Sequence, residues 1–404
     1  ALAEMSAAYF GYPAEELTTI GITGTKGKTT TTHMIRAILL AAGKKVGMIG
    51  TTGTVIGDVV TPTLNTTPES YELHQAFAQM VEAGCEYAVM EVSSQGIKMH
   101  RTDGLYFNYA IFTNISPDHI GPREHADFEE YLYYKTRLLN MCGIGLVNKD
   151  DKHAPQIIKA ANCELCTYSE ESKEADFVAS DIRYVSQPDF VGTEFHISGK
   201  YDMEVRLGIP GLFNVVNALA AVSVCSFLGL DQARISHALE NIRVNGRMEI
   251  VYTSERCTVL VDYAHNAVSM ESLLSTLRDY KPKRLVCVFG CGGNRSKDRR
   301  YSMGEIGGKM ADLSIITADN SRYEKVEDII ADIRGSIEKT GGKFIEIPDR
   351  REAIRYSILH AQPGDMVAVI GKGHEDYQEI NGVRHHFLDR EVIEETVKEL
   401  GEKA

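Results

Sequence analysis

Six residues, Gly24-Thr25-Lys26-Gly27-Lys28-Thr29, limit this chain more than any other stretch. An apolar strand pattern (residues 19–23) runs into this glycine-rich turn, and a helical pattern opens at Lys28. Backbone N–H groups of such a turn, with the unpaired N–H groups of the first helical turn, form a cradle for phosphate oxygens. In that geometry Lys28 reaches the β/γ-phosphates and the Thr29 hydroxyl serves Mg²⁺. The usual P-loop spacing has a glycine where Ile22 stands, so this is a shortened form. A glycine-rich strand-to-helix turn without a ligand is the plain alternative. The ordered sequence of strand, glycine pair, Lys-Thr and helix favours a nucleoside triphosphate, held by Gly24, Thr25, Lys26, Gly27, Lys28, Thr29 and Thr30.

With 404 residues the chain exceeds one typical core, and two domains are expected by default, with three as the alternative. Its 43 Lys and Arg against 56 Asp and Glu leave a formal charge of −13, which argues against a nucleic-acid or anionic-membrane partner. Eight cysteines have no framework spacing, and Cys163-x-x-Cys166 has no second pair at zinc-ribbon distance, so reduced thiols and a cytoplasmic setting are expected. No basic stretch precedes an apolar one in the first ten residues. The uncharged run 211–230 has membrane length, yet it carries Asn214, Asn217, Ser223 and Ser226 and reads as a buried helix.

Alternation of short apolar runs with helical stretches predicts an α/β protein. The expected architecture is a P-loop, ATPase-type central domain with a mostly parallel sheet, then a Rossmann-like C-terminal α/β domain. Strands are expected at 19–23, 45–49, 87–92, 109–114 and 144–148, with helices at 28–42, 68–83 and 128–141. A hairpin-like insertion (181–184, 192–198 and 201–207, turning at Gly199-Lys200) and two helices (214–228, 231–241) complete this part. The second part has expected strands at 258–262, 284–289, 313–317, 343–347 and 366–370, and a final helix at 391–402. Its Gly290-Cys-Gly-Gly293 does not reproduce the dinucleotide fingerprint, so it reads as a substrate platform.

Strand ends carry the remaining chemistry. Glu91 closes an apolar strand, a place from which an acidic residue of a P-loop protein holds Mg²⁺; a helix cap is the alternative. His119 reads equally as a metal ligand or an N-cap neighbour. Lys135 alone passes for a surface lysine.

Taken in order, Gly24-Thr-Lys-Gly-Lys-Thr29, Thr66-Thr-Pro68, Glu91-Val-Ser-Ser94, Thr113-Asn-Ile-Ser-Pro-Asp-His119, Lys135, Gly246-Arg-Met-Glu249, Asp262-Tyr-Ala-His-Asn266 and Gly371-Lys-Gly-His-Glu375 resemble the Mur ligases over essentially the whole chain. The resemblance implies ATP-dependent amide ligation in peptidoglycan precursor synthesis, with a carboxylate activated as an acyl phosphate and then attacked by an amine. It implies two Mg²⁺ ions served by Thr29, Glu91, His119 and a Lys135 carbamylated by CO₂, with Lys28, Glu91, His119 and Lys135 as the catalytic set. Asn214, Arg247, Asp262, His265 and Asn266 join the ATP-binding set. Thr66, Thr67, Ser93 and Arg101 match muropeptide positions, and Arg295, Asn320, Arg322, Gly371 and Glu375 match those for meso-diaminopimelate, the carboxylate facing Arg322 and the ammonium Glu375. The domains implied are 18–245 for ATP and 246–404 for the amino acid, with 1–17 as the tail of an N-terminal uridine-binding domain and linker. The protein is then expected to act on small molecules as a cytoplasmic monomer, without nucleic acid or membrane.

The chain departs from the family at Gln95 (commonly His), Met99 (Gln), Ser321 (Pro) and Ala267-Val268 (Pro after Asn266). Two other readings are an amide ligase with another carboxylate acceptor, in the manner of folylpolyglutamate or cyanophycin synthetase, and a nucleotide-binding protein without ligase chemistry.

Overall fold

The computed structural model describes residues 1–122 and 124–401, so the last residue of the helix expected at 391–402 lies outside it. Two compact units emerge: Ala1–Arg183 with Glu194–Leu207 and Leu212–Ile242, and Arg243–Ala404 with Tyr184–Thr193 and Gly208–Gly211.

The first unit is built on an eleven-stranded sheet. In chain order its strands are β1 (Thr18–Thr23), β2 (Val46–Gly50), β3 (Gly53–Ile56), β4 (Val59–Thr61), β5 (Tyr87–Glu91), β6 (Phe107–Phe112), β7 (Cys142–Asn148), β8 (Glu164–Ser169), β9 (Phe177–Gln187), β10 (Phe190–Gly199) and β11 (Met203–Leu207). Across the sheet they run β11-β10-β9-β8-β7-β6-β1-β5-β2-β3-β4. From β2 to β9 every pairing is parallel, with Ile22 opposite Glu91 and Ile111; β3 and β4 add an antiparallel edge. Strands buried on both faces read as continuous apolar runs, and β1 is a case: Ile20 and Ile22 are fully buried.

Helix Lys28–Ala41 opens with four threonines, weak helix formers. Tertiary placement overrides that preference. All four are buried, and Thr32 back-bonds to the Lys28 carbonyl at 2.8 Å. Phe77, Phe107, Phe112 and Tyr131 fill one side of the sheet as part of a continuous core. The apolar run after 211 forms the buried helix Leu212–Phe227; among the described residues no helix is long and apolar enough to cross a membrane.

The second unit has a six-stranded sheet of β12 (Glu249–Thr253), β13 (Cys257–Asp262), β14 (Arg284–Phe289), β15 (Leu313–Ile316), β16 (Phe344–Glu346) and β17 (Asp365–Ile370), ordered β12-β13-β17-β14-β15-β16. Only β12 is antiparallel to its neighbour. A separate hairpin, β18 (Tyr377–Ile380) and β19 (Val383–His386), follows β17. The fully buried Arg350 holds both oxygens of buried Asp389 at 2.7 Å and reaches the carbonyls of Ala318 and Ile370, tying the last helix to the strand ends. In each unit the loops that matter next leave the carboxyl ends of parallel strands, where open α/β sheets bind ligands.

Candidate active site

The turn after β1 adopts a phosphate-loop shape. Gly24 and Gly27 have φ of +150° and +85°, and Gly27 caps the helix that starts at Lys28. A Cβ on Gly24 would lie 1.9 Å from Thr113 Oγ1, so the tight approach requires glycine there. The end of β6 braces the loop. Thr113 Oγ1 donates to Lys26 O (2.7 Å), and Asn114 Oδ1 accepts from Lys26 N (2.9 Å). Lys28 curls over the loop onto the carbonyls of Gly24 (2.8 Å) and Thr25 (3.1 Å). Asn214 meets this region through Asn217, which takes a 3.1 Å bond from Nδ2 to Asn214 Oδ1 and accepts from Thr31 at 3.4 Å.

Glu91, at the end of β5, is 1% exposed. Thr29 Oγ1 is 3.0 Å from both of its oxygens, and Thr51 supplies its N–H (2.9 Å) and hydroxyl (3.2 Å). All these donors are uncharged, so none of the groups hydrogen-bonded to the buried carboxylate balances it. Such a charge needs a partner. A hard divalent cation fits the Thr29 and Glu91 oxygens. Beside them lies the expected acceptor cluster: Thr67 Oγ1 bonds Glu91 O (3.1 Å), Ser93 Oγ (3.1 Å) and Ser93 N (2.9 Å), Arg101 reaches Thr67 O (3.1 Å), and Thr66 meets Thr51 (3.1 Å). Arg101 is also paired with Glu69 at 2.6 Å.

Lys135 is no surface lysine. It is 2% exposed, and its Nζ donates to Gly24 O at 2.8 Å, the same oxygen that Lys28 uses. The Tyr131 ring lies 4.6 Å from Nζ, and the Tyr131 hydroxyl is 3.1 Å from Thr25 Oγ1. Burial first, then the Lys28 charge, hold its ammonium well below the usual lysine range, against a weaker pull from Asp118. His119 is half exposed, with positive φ, and pairs through Nδ1 with Glu124 at 2.8 Å. The structure thus joins Thr29 to Glu91 and Lys135 to Lys28, with His119 turned to Glu124. Among the described residues no three His, Cys, Asp or Glu side chains form a ready cation cage.

In the second unit all five residues expected for the amino acid line one pocket of about 320 Å³: Arg295, Asn320, Arg322, Gly371 and Glu375, with His265. Asn320 Nδ2 donates to Glu375 Oε2 at 3.0 Å. Arg322, at φ +51°, donates to Gly293 O (2.7 Å) and pairs with Glu379 at 3.5 Å. Asp262 ends β13 and accepts from the N–H groups of Met248 and Ala264, both at 2.8 Å; burial pushes its carboxyl up, partly countered by those bonds and Arg247. Arg247 stacks 4.7 Å from the Tyr263 ring, His265 Nδ1 is 2.9 Å from Tyr263 O, and Asn266 caps helix Ala267–Asp279 in a box with Ser269.

Sequence reading missed Thr51, Tyr131, Arg299, Asp319 and Lys372. Asp319 and Arg299 share the pocket lining, and position alone could have flagged Asp319, in the loop that follows β15.

This chain belongs to the Mur ligases: the middle-domain model of that family matches residues 22–225, and the glutamate ligase domain model matches residues 246–373. Among individual relatives, UDP-N-acetylmuramoyl-L-alanyl-D-glutamate--2,6-diaminopimelate ligase of Caldanaerobacter subterraneus subsp. tengcongensis is 40% identical over 99% of this chain and 82% of its own length. The protein of the same name from Clostridium botulinum is 41% identical with the same coverage. A solved structure titled as that ligase superposes with a TM-score of 0.77 at 32% identity, over all of this chain and 83% of the other. A folylpolyglutamate synthase from Thermotoga maritima shares the fold alone, at TM-score 0.71 and 18% identity. Mur ligases depend on ATP and Mg²⁺, in keeping with the phosphate loop and the Thr29–Glu91 pair.

Proposed function

We propose that this protein joins meso-2,6-diaminopimelate to the D-glutamyl carboxylate of UDP-N-acetylmuramoyl-L-alanyl-D-glutamate, converting ATP to ADP and phosphate. The names of its relatives support this reading. The observation that carries it is the pocket where Arg295, Asn320, Arg322, Gly371 and Glu375 converge. The far end of diaminopimelate is a second amino-acid head, and an arginine and a carboxylate are its natural complements.

The chemistry requires two anions, the acceptor carboxylate and the γ-phosphate, to approach each other. Carboxylate oxygen attacks the γ-phosphorus and ADP leaves, giving an acyl phosphate. The donor amine then adds to the acyl carbon, loses a proton, and phosphate departs with its electron pair. We assign Gly24–Thr30, with Asn214, Arg247, Asp262, His265 and Asn266, to ATP, and Thr66, Thr67, Ser93 and Arg101 to the muropeptide. Lys28 offsets the approaching charges and spreads the phosphoryl negative charge. Thr29, Glu91 and His119 would hold Mg²⁺, which supplies electrostatic stabilisation of the transferring phosphoryl group.

Lys135 is suited to carbamylation because its site favours the free amine. A neutral amine adds to CO₂, forming an N–C bond and releasing a proton, and the product is an anionic oxygen ligand for a second Mg²⁺. Within this reading residues 18–245 bind ATP and acceptor and residues 246–404 bind the donor, with the chain acting as a cytoplasmic monomer. Phosphate release from ATP, measured across acceptor and donor pairs, tests it. Release should need both the UDP-muramoyl dipeptide and diaminopimelate. Release with a folate acceptor instead would replace this reading.

A further inference from the structure

Lys372 is fully buried behind the donor pocket and is absent from its lining, yet it touches two residues that do line it. Its Nζ donates to Asn320 Oδ1 (3.4 Å), to Glu375 Oε2 (3.3 Å) and to the carbonyl of Tyr377. An ammonium has three N–H donors and no acceptor. These three bonds use it completely.

The consequence for Asn320 is strict. Its Oδ1 accepts from Lys372 and from the N–H of Glu379 (2.9 Å), both of which can only donate. The amide therefore cannot flip, and Nδ2 must face Glu375 Oε2, at 3.0 Å. Glu375 Oε2 in turn receives two donors, Asn320 Nδ2 and Lys372 Nζ. Oε1 takes no hydrogen bond from the described residues, so Glu375 offers one oxygen, in one orientation, to whatever enters. Lys372 thus sets a positive group against Glu375 within the wall itself, 3.3 Å from Oε2.

We propose that Lys372 is a positioning residue that sets donor selectivity. It fixes Glu375 Oε1 as the acceptor for one ammonium and the second Asn320 amide N–H as a donor to a carboxylate. This rests on the diaminopimelate reading above, and goes beyond it by assigning selectivity to a side chain that never touches the substrate.

Two donors that differ by a single amino group test it: meso-diaminopimelate, and L-2-aminopimelate, which keeps the distal carboxylate and lacks the distal ammonium. The wild type should prefer the first. Lys372→Met should reduce that preference in kcat/KM by at least about tenfold, the scale of one lost charge-assisted hydrogen bond. The change should appear in the KM for the donor, with the KM for ATP within about twofold of wild type. Should Lys372→Met fail to fold by circular dichroism, Lys372→Gln, which keeps a neutral donor, is read by the same ratio. An equal loss with both donors would mean a merely structural lysine and would overturn the proposal. A wild type that makes no product from diaminopimelate, ATP and the UDP-muramoyl dipeptide would overturn the functional reading itself, and this proposal with it.

Discussion

Replacing Lys135 with methionine should make the protein more stable and inactive in one step. The side chain is buried with one carbonyl and one aromatic face for company, and among the described residues it has no ion-pair partner. Its folded pKa lies well below the ordinary 10.5. Between the folded value and 10.5 the unfolded chain holds a proton that the native state does not. Native stability therefore climbs with pH across that window, by up to about 1.4 kcal/mol per pH unit for one proton. Below the folded value the native state carries the buried charge at its full cost. Methionine removes that cost at every pH, fills similar space and suits the Tyr131 ring. It orphans nothing, because Gly24 O still accepts from Lys28 at 2.8 Å. Urea unfolding from pH 7 to 10 in bicarbonate-free buffer measures this. At pH 7 Lys135→Met should be the more stable, since it never carries the buried charge. Its advantage should shrink as pH rises, and ligation should be lost. A less stable variant whose pH curve runs parallel to wild type would refute the reasoning.

Gly24→Ala combines a positive-φ penalty with a Cβ 1.9 Å from Thr113 Oγ1, a hydroxyl already committed to Lys26 O. Calorimetry should find Tm lowered by at least about 4 °C, from roughly 2–6 kcal/mol of strain and overpacking; an unchanged Tm would remove the steric argument. Arg322→Ala should cut kcat/KM for meso-diaminopimelate at least about 30-fold more than for lysine, which lacks the distal carboxylate. Equal use of both donors by the unmodified protein would overturn the donor assignment and leave the ligase reading standing.

The two parallel sheets were legible because their strands are apolar runs bounded by glycine and polar residues. The helix Lys28–Ala41 was legible from its glycine start. β8 and β12 escaped although Tyr168, Val251 and Tyr252 in them are buried, because polar residues interrupt their apolar runs; the other strands that escaped bury little. β3 and β4 are short, and Val59 and Val60 are exposed. β18 and β19 carry Gln378, Glu379, Arg384, His385 and His386 with no apolar alternation. β9 begins four residues before the expected 181–184, where Phe177 and Ala179 alternate into the core, and runs on to Gln187 through partly or fully exposed residues. Motif order brought the five donor-site residues to one pocket, since each follows a parallel strand. Lys372 lies within Gly371-Lys-Gly-His-Glu375, and neither spacing nor composition reveals that this lysine is buried. Lys135 shows the same limit: only the folded chain sets its amine against Gly24 O.

That single oxygen, shared by Lys28 and Lys135, has a spectroscopic use. A carbonyl receiving two lysine Nζ donors is polarised by both, and each proton lost by either lysine, or carboxyl group gained by Lys135, changes the load on it. A ¹³C label on the Gly24 carbonyl is therefore a reporter built into the loop, one resonance whose position registers the charge state of both lysines without any probe being added to the site.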